Sequence, residues 1–306
     1  MPLSLLAEQF LNGIQFGMML FVISAGLTLT FGVMGLINLA HGSLYMVGAF
    51  AGAAVTAATG SFLLGLVASV AAAGLVGAVI EMGILRLLYD RDHLDQVIAT
   101  FALILILSEG TRWLFGSFPL YLDIPSSLAG SVRLPGGITY PLYRLAIIGA
   151  GLVIAALLFL VVNRTRLGMR IRAGEADREM TAALGIDIRR LYTLVFSAGA
   201  AIAGLAGALV GSLQSVQVGM GEPVLILAFV VVVVGGIGSI GGALAGALLV
   251  GTTDTLGRVL LPAAFGAFMD PASANAVGSA LASMLIYILM AVILVFRPTG
   301  LAGGRG

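Results

Sequence analysis

Residues 230–242 read VVVVVGGIGSIGG, and this stretch admits two incompatible folds. Gly236, Gly238 and Gly241 form a G-x-G-x-x-G after an apolar run, with Asp254 following at a distance suited to a ribose contact. In a soluble α/β chain those letters describe a strand, a glycine turn and a helix that holds a pyrophosphate. In a lipid-embedded chain they describe an apolar helix interrupted by glycine. The surroundings decide between the two. The valines belong to a longer apolar run, 224–234, which resumes after the glycines as ALAGALLVG at 243–251. No alternation of strands and helices flanks them. With 43 glycines in 306 residues, such a triplet arises readily by chance. The stretch is therefore read as a membrane helix broken at Gly235–Gly242. Irregular backbone at that depth is tolerated only where protein buries it or where it lines a water-filled cavity. It serves either as a packing kink or as a place where backbone polar groups meet a solute.

Composition supports the lipid reading. The chain is 60% apolar and 9% charged, with a mean hydropathy of +1.13, whereas soluble domains are about 25% charged. All 15 basic residues are arginine. A phosphate-binding P-loop needs its lysine, so any ATP that drives this protein is hydrolysed by another chain. With no cysteine and two histidines, neither a metal site nor a nucleophile–base constellation is expected, and no cofactor. A net charge of +1 gives no sign of nucleic acid. The opening MPLSLLAEQF lacks the basic region of a cleaved signal peptide.

A helix needs about 20 apolar residues to cross the hydrocarbon. Eight spans are expected, near 10–33, 36–58, 62–85, 97–117, 142–163, 191–212, 224–250 and 276–296. This predicts an all-α polytopic membrane protein, a single permease-like domain over 1–306, with some helices broken or re-entrant. Residues 164–190 hold seven of the fifteen arginines, and residues 86–95 hold two more. By the positive-inside rule both face the cytoplasm. Residues 118–141, with four prolines and one arginine, read as an extracytoplasmic loop. Small residues recur every four positions at Gly199, Ala203, Gly207 and Gly211, at Gly238, Gly242 and Gly246, and at Gly48 and Gly52. Such stripes let helix backbones approach closely in lipid.

Two polar groupings stand out. Asn38, His41 and Ser43 lie in the apolar GLINLAHGSLYMVG at 35–48. They serve either as helix caps and a satisfied histidine, or as polar groups on a solute path. Residues 164–190 mix arginines with Glu175, Asp177, Glu179 and Asp187. This reads as one short amphipathic helix, with Ile171, Met180, Ala183 and Leu184 on its apolar face and Gly185 ending it. That suits docking to a cytoplasmic partner; the plain alternative is a basic loop on anionic lipid. Glu109 and Arg112 are spaced to pair on a helix, and Arg86 follows Glu81 by five. No carboxylate stands out as held mid-span, which argues against a proton-driven carrier.

Three ordered blocks carry a resemblance: GLINLAHGSLYMVGAF at 35–50, LGMRIRAGEADREMTAALGID at 167–187 and VVGGIGSIGGALAGALLVG at 233–251, closed by FRPTG at 296–300. Together they resemble the LivH-type permeases of ABC importers for branched-chain amino acids, from Asn12 to Gly300. The resemblance implies a multi-pass subunit of a bacterial inner membrane, with a paralogous permease, cytoplasmic ATPase subunits and a periplasmic solute-binding protein as partners. It implies that Glu175, Ala176, Asp177, Ala182, Ala183, Leu184 and Gly185, beside Arg172, form the segment coupled to the ATPase. It also implies a path for branched-chain amino acids; relatives serving urea, short amides or aromatic acids leave those open. Asn38, His41, Ser43, Gly236, Gly238 and Gly241 are expected near that path. The rivals are a secondary carrier, which needs an embedded ion site, and an intramembrane enzyme, which needs a catalytic constellation.

Overall fold

The computed structural model describes residues 3–135 and 137–302. Residues 1–2 of the opening stretch, residue 136 of the outer loop and residues 303–306 lie outside it. The helices are α1 (Leu3–Met34), α2 (His41–Thr59), α3 (Phe62–Gly83), α4 (His93–Phe115), α5 (Leu142–Arg164), α6 (Arg166–Ala176), α7 (Arg178–Ala183), α8 (Ile188–Gly211), α9 (Gly221–Gly235), α10 (Ile240–Phe265) and α11 (Pro271–Phe296). Eight of them are long and apolar enough to cross a membrane. The chain is an all-α polytopic membrane protein. Its one described sheet is a small antiparallel hairpin in the outer loop, β1 (Ser131–Leu134) and β2 (Ile138–Pro141), with Val132 opposite Tyr140.

The stretch is broken where expected, into two helices, α9 and α10, separated by Gly236–Ser239; what differs from the expected span at 224–250 is its extent. The reason for the break is local. Gly236 and Gly238 have φ of 101° and 78°, a left-handed backbone that only glycine adopts at no cost. Ser239 then caps α10 by accepting from the Gly242 N–H at 3.0 Å. Gly238 therefore sits in the turn, not on a helical stripe. Gly242 and Gly246 do form a packing face: a Cβ at Gly246 would stand 2.9 Å from the Gly235 nitrogen. Beyond 250 the apolar helix continues to Phe265, so α10 spans by itself.

The arginine-rich segments orient the bundle, and contacts extend that orientation to α1. α5 runs inward from the outer loop. Arg144 at its outer end donates to Asn12 of α1, and Gly32 at the other end of α1 abuts Gly238. α1 is thus parallel to α5 and begins at the end of the bundle that carries the hairpin. It is the innermost helix, with 78% of its apolar window buried, against 11% for α11. A lipid-facing ring surrounds it.

Close approach holds the centre together. A Cβ at Gly26 would stand 2.5 Å from the Gly199 carbonyl oxygen, and Cβ atoms at Gly48 and Gly42 would overlap the backbones of Gly204 and Gly221. The expected stripe on α8 is buried along its length.

Two carboxylates are buried, and one of them, Asp254, lies mid-span, where none was expected. Glu81, wholly enclosed at the inner end of α3, accepts from Arg86 (3.1 Å), Tyr89 (2.8 Å) and Thr193 (2.6 Å). Asp254 lies inside α10, ion-paired at 2.9 Å with Arg258 one turn on. Pairing makes both tolerable in a medium of low polarity. Glu109 and Arg112 do meet, at 2.6 Å, on an exposed face.

Three outcomes test this packing and pairing. Gly48→Val should destabilise the protein by at least the 1–3 kcal/mol typical of overpacking. Gly149→Ala, where a Cβ meets nothing within 4 Å, should leave the thermal midpoint in detergent unchanged or raised. Arg86→Ala, which strips the buried Glu81 of its cation, should cost roughly 3–5 kcal/mol by the same assay.

Candidate functional site

Two layers of candidate residues emerge, at different depths. The deeper one surrounds the start of α2. After α1 ends at Met34 the chain folds back beside it, and the His41 Nε2 lies 3.2 Å from the Ile23 carbonyl. Ile23 is roughly 16 Å back along the helix axis from Met34 at 1.5 Å per residue. A carbonyl only accepts, so Nε2 carries the proton and Nδ1 is the acceptor. Asn38 Oδ1 accepts from the Ala40 N–H at 3.0 Å, an Asx-type turn that leads into the helix. The residue at the N-cap is Ala40, with no side-chain cap, so neither Asn38 nor Ser43 caps α2 directly. Asn38, His41 and Ser43 are all buried.

α9 also starts within the bundle. Residues 212–220 enter from the outer side, where Val216 pairs with Leu120. Gly221 then meets Gly42 backbone to backbone. At 15 residues, α9 is about 22 Å long, short of the ~30 Å hydrocarbon. Two helix N-termini, those of α2 and α9, therefore meet inside the protein, and each presents N–H groups without intrahelical partners. Buried polar atoms without a partner lie nearby along the chain: Asn38 Nδ2, His41 Nδ1 and Tyr45 OH at the start of α2, and Thr28 Oγ1 on α1.

The second layer lies at the arginine-rich end of the bundle. The expected single helix over 164–190 is instead an elbow of α6 and α7. Asp177 breaks it: its extended backbone (φ −158°) ends α6, and its Oδ1 caps α7 by accepting from the Met180 N–H at 2.9 Å. Thr165 caps α6 and Asp187 caps α8 in the same way. Gly185, at φ 85°, closes α7. The expected apolar face divides accordingly. Ile171 is buried against Leu29, Val33 and Tyr192. Met180 and Leu184 stand 60% and 75% exposed, with Ala182 and Ala183 beside them also exposed. α7 is tied to the loop between α3 and α4 by Arg178–Asp90 at 2.6 Å, and Tyr89 of that loop meets Tyr192 edge-on at 5.2 Å.

The predicted residues regroup across these layers. Gly236, Gly238 and Gly241 were expected, like His41, near the path. They lie instead at the inner end of α1, where a Cβ on Gly32 would stand 2.8 Å from the Gly238 Cα and one on Gly238 would stand 2.9 Å from Glu175 Oε1. α9 starts too deep to carry its own end back to the middle of the membrane. Arg172 and Glu175 on α6, with Gly238 and Gly241, line a cavity of about 390 Å³ together with Leu29 and Phe159. Arg172 donates to the Val162 carbonyl. Burial pushes the Glu175 carboxyl up, and the neighbouring Arg172 lowers it. Of the expected coupling set, Arg172 and Glu175 thus face the glycine turn, while Ala182 and Leu184 face outward.

Sequence reasoning noted Glu81 with the arginine five residues on, but not its burial, because a further donor, Thr193, comes from distant chain. Thr28 was missed: it sits in apolar sequence and carried no signal.

The chain matches the model of the family described as branched-chain amino acid transport system / permease component over residues 9–294. It is 29% identical to the high-affinity branched-chain amino acid transport system permease protein BraD of Pseudomonas aeruginosa, covering 97% of this chain and 95% of that one. It is 28% identical to the permease protein LivH of Escherichia coli K12, with the same coverage. A probable LivH of Methanocaldococcus jannaschii is 26% identical over 83% of this chain and 82% of its own. With helices that start inside the bundle and a capped cytoplasmic elbow, the chain belongs to the branched-chain amino acid transport system permease family, as a membrane-spanning permease component of ABC importers.

Proposed function

We propose that this permease forms the translocation path for branched-chain amino acids, or a similarly small zwitterionic solute, in a bacterial inner membrane. It works with a paralogous permease, two cytoplasmic ATPase subunits and a periplasmic binding protein that delivers the solute. The observation that carries this reading is the elbow. Met180 and Leu184 project from a helix that its caps and the Arg178–Asp90 pair hold rigid. Large apolar side chains displayed on a rigid cytoplasmic helix suit burial in a partner's groove. A displacement of α7 reaches α1 and the α9–α10 turn through α6.

Within the membrane, the meeting of two helix starts supports placing the path near Asn38, His41 and Ser43. Backbone N–H groups at broken helix ends favour an anionic group such as an α-carboxylate. Urea, short amides and aromatic acids remain the other solute classes this architecture suits, and the binding protein makes the selection. A secondary carrier is disfavoured because Glu81 and Asp254 are already committed to arginines.

Leu184→Asp should release the ATPase subunits, or abolish ATPase stimulation by the loaded binding protein, while the permease stays folded; a retained, stimulated complex would refute the docking role. His41→Ala should cut uptake into proteoliposomes at least severalfold without loss of assembly. Undiminished uptake would remove His41 from the path.

A further inference from the structure

The cavity of about 390 Å³ between α1, α5, α6 and the glycine turn has no part in the path proposed above. It lies at the cytoplasmic end, on the order of 13 Å along α1 from the His41 layer, counting nine residues between Ile23 and Gly32. Its volume falls in the range of small-molecule sites. Its lining is chemically divided. Leu29, Val33, Phe159 and Ile171 form an apolar wall. Arg172 and Glu175, three residues apart on α6, put one cation and one carboxylate at its edge. They form no ion pair within 4.0 Å, and Glu175 has no hydrogen-bond partner among the described residues. Thr28, 1% exposed, also lines the cavity, and its hydroxyl has no partner. The first turn of α10 opens onto the same space at Ile240 and Gly241, and a Cβ on Gly241 would meet nothing within 4 Å.

These features describe one ligand chemistry. An α-carboxylate fits Arg172 and the free N–H groups that open α10. An α-ammonium fits Glu175. An aliphatic side chain fits the wall, and Thr28 supplies a hydroxyl with no competing partner. A simple anion would leave Glu175 unmatched, and a simple cation would leave Arg172 and the helix start unmatched. We propose that this cavity is a cytoplasm-facing binding site for a free aliphatic amino acid, and that its occupation slows transport. The choice of ligand rests on the substrate class proposed above. An occupant stands between the elbow and the glycine turn, the two elements through which motion of α7 reaches the bundle. Accumulated product therefore holds them apart.

The test uses the complete permease–ATPase complex. Binding of radiolabelled leucine is measured in detergent without the binding protein, against 4-methylpentanoate, which lacks the ammonium, and isoamylamine, which lacks the carboxylate. The same complex in proteoliposomes, with external loaded binding protein and luminal ATP, is then assayed with leucine in the lumen. Saturable binding that neither analogue displaces is expected, with severalfold inhibition of initial uptake by millimolar luminal leucine. Thr28→Val should raise the half-inhibitory concentration roughly 3- to 10-fold, the yield of one hydrogen bond. Ile237→Asp, at an exposed turn residue that lines the cavity, should abolish inhibition by repelling the carboxylate. Absence of saturable binding, displacement by either analogue, or inhibition unmoved by both variants overturns the site. Uptake separates the two readings: leucine import that runs normally without luminal inhibition sinks the site alone, whereas absent leucine import sinks the proposed substrate.

Discussion

Backbone-to-backbone contact through glycine is the constraint on which this bundle depends. Lipid offers no hydrophobic reward for bringing apolar helices together, because its tails are as apolar as leucine. What remains is dispersion between closely fitted surfaces, together with a few hydrogen bonds. Gly26 against Gly199, Gly42 against Gly221 and Gly48 against Gly204 remove the side chains that would hold the axes apart. Ser69 adds a hydrogen bond from its hydroxyl to the Gly48 carbonyl. These contacts bind α8 to both α1 and α2 and bring α3 beside α2 and α8, and they allow α2 and α9 to start inside the protein. A helix that starts at depth must present free N–H groups there, so the polar interior follows from the packing.

The cytoplasmic layer obeys different physics. Water reaches it, so polar caps can define geometry. Thr165, Asp177 and Asp187 each begin a helix by accepting from a backbone N–H three residues on. Successive caps turn a basic loop into a jointed strut. Its fixed points are the buried Ile171 on one side and Arg178 with Asp90 on the other. A force applied to α7 has rigid elements through which to travel, because capped helices and paired charges resist bending.

Much of this was legible in the sequence. The apolar runs gave the number of long spans. The small-residue spacing on α8 announced its buried face. Other features depended on long-range contacts. Nothing local says that 35–40 folds back to the level of Ile23, or that Val216 pairs with Leu120 and lets α9 begin inside. The glycines at 236–241 announced a break, but its depth followed from where α9 starts, some fifteen residues earlier. The amphipathic reading of 164–190 failed because Asp177 satisfies a cap better than a helix interior, which divides the apolar face between bundle and solvent. Glu81 illustrates the same limit: two of its donors, Arg86 and Tyr89, are near neighbours, but Thr193 comes from α8.

The segment after α11 has a consequence for how the protein is made. The N–H groups of Leu301 and Ala302 donate to the carbonyls of Val234 and Gly235 at 2.8 and 3.0 Å, and Gly300 packs onto Gly236. Those carbonyls end α9 and have no partner within the helix. Residues 300–302 can reach the end of α9 only after α10 and α11 have carried the chain across the membrane and back. The carbonyl end of α9 therefore stays open until both later helices are packed, and its closure reports that the three have assembled.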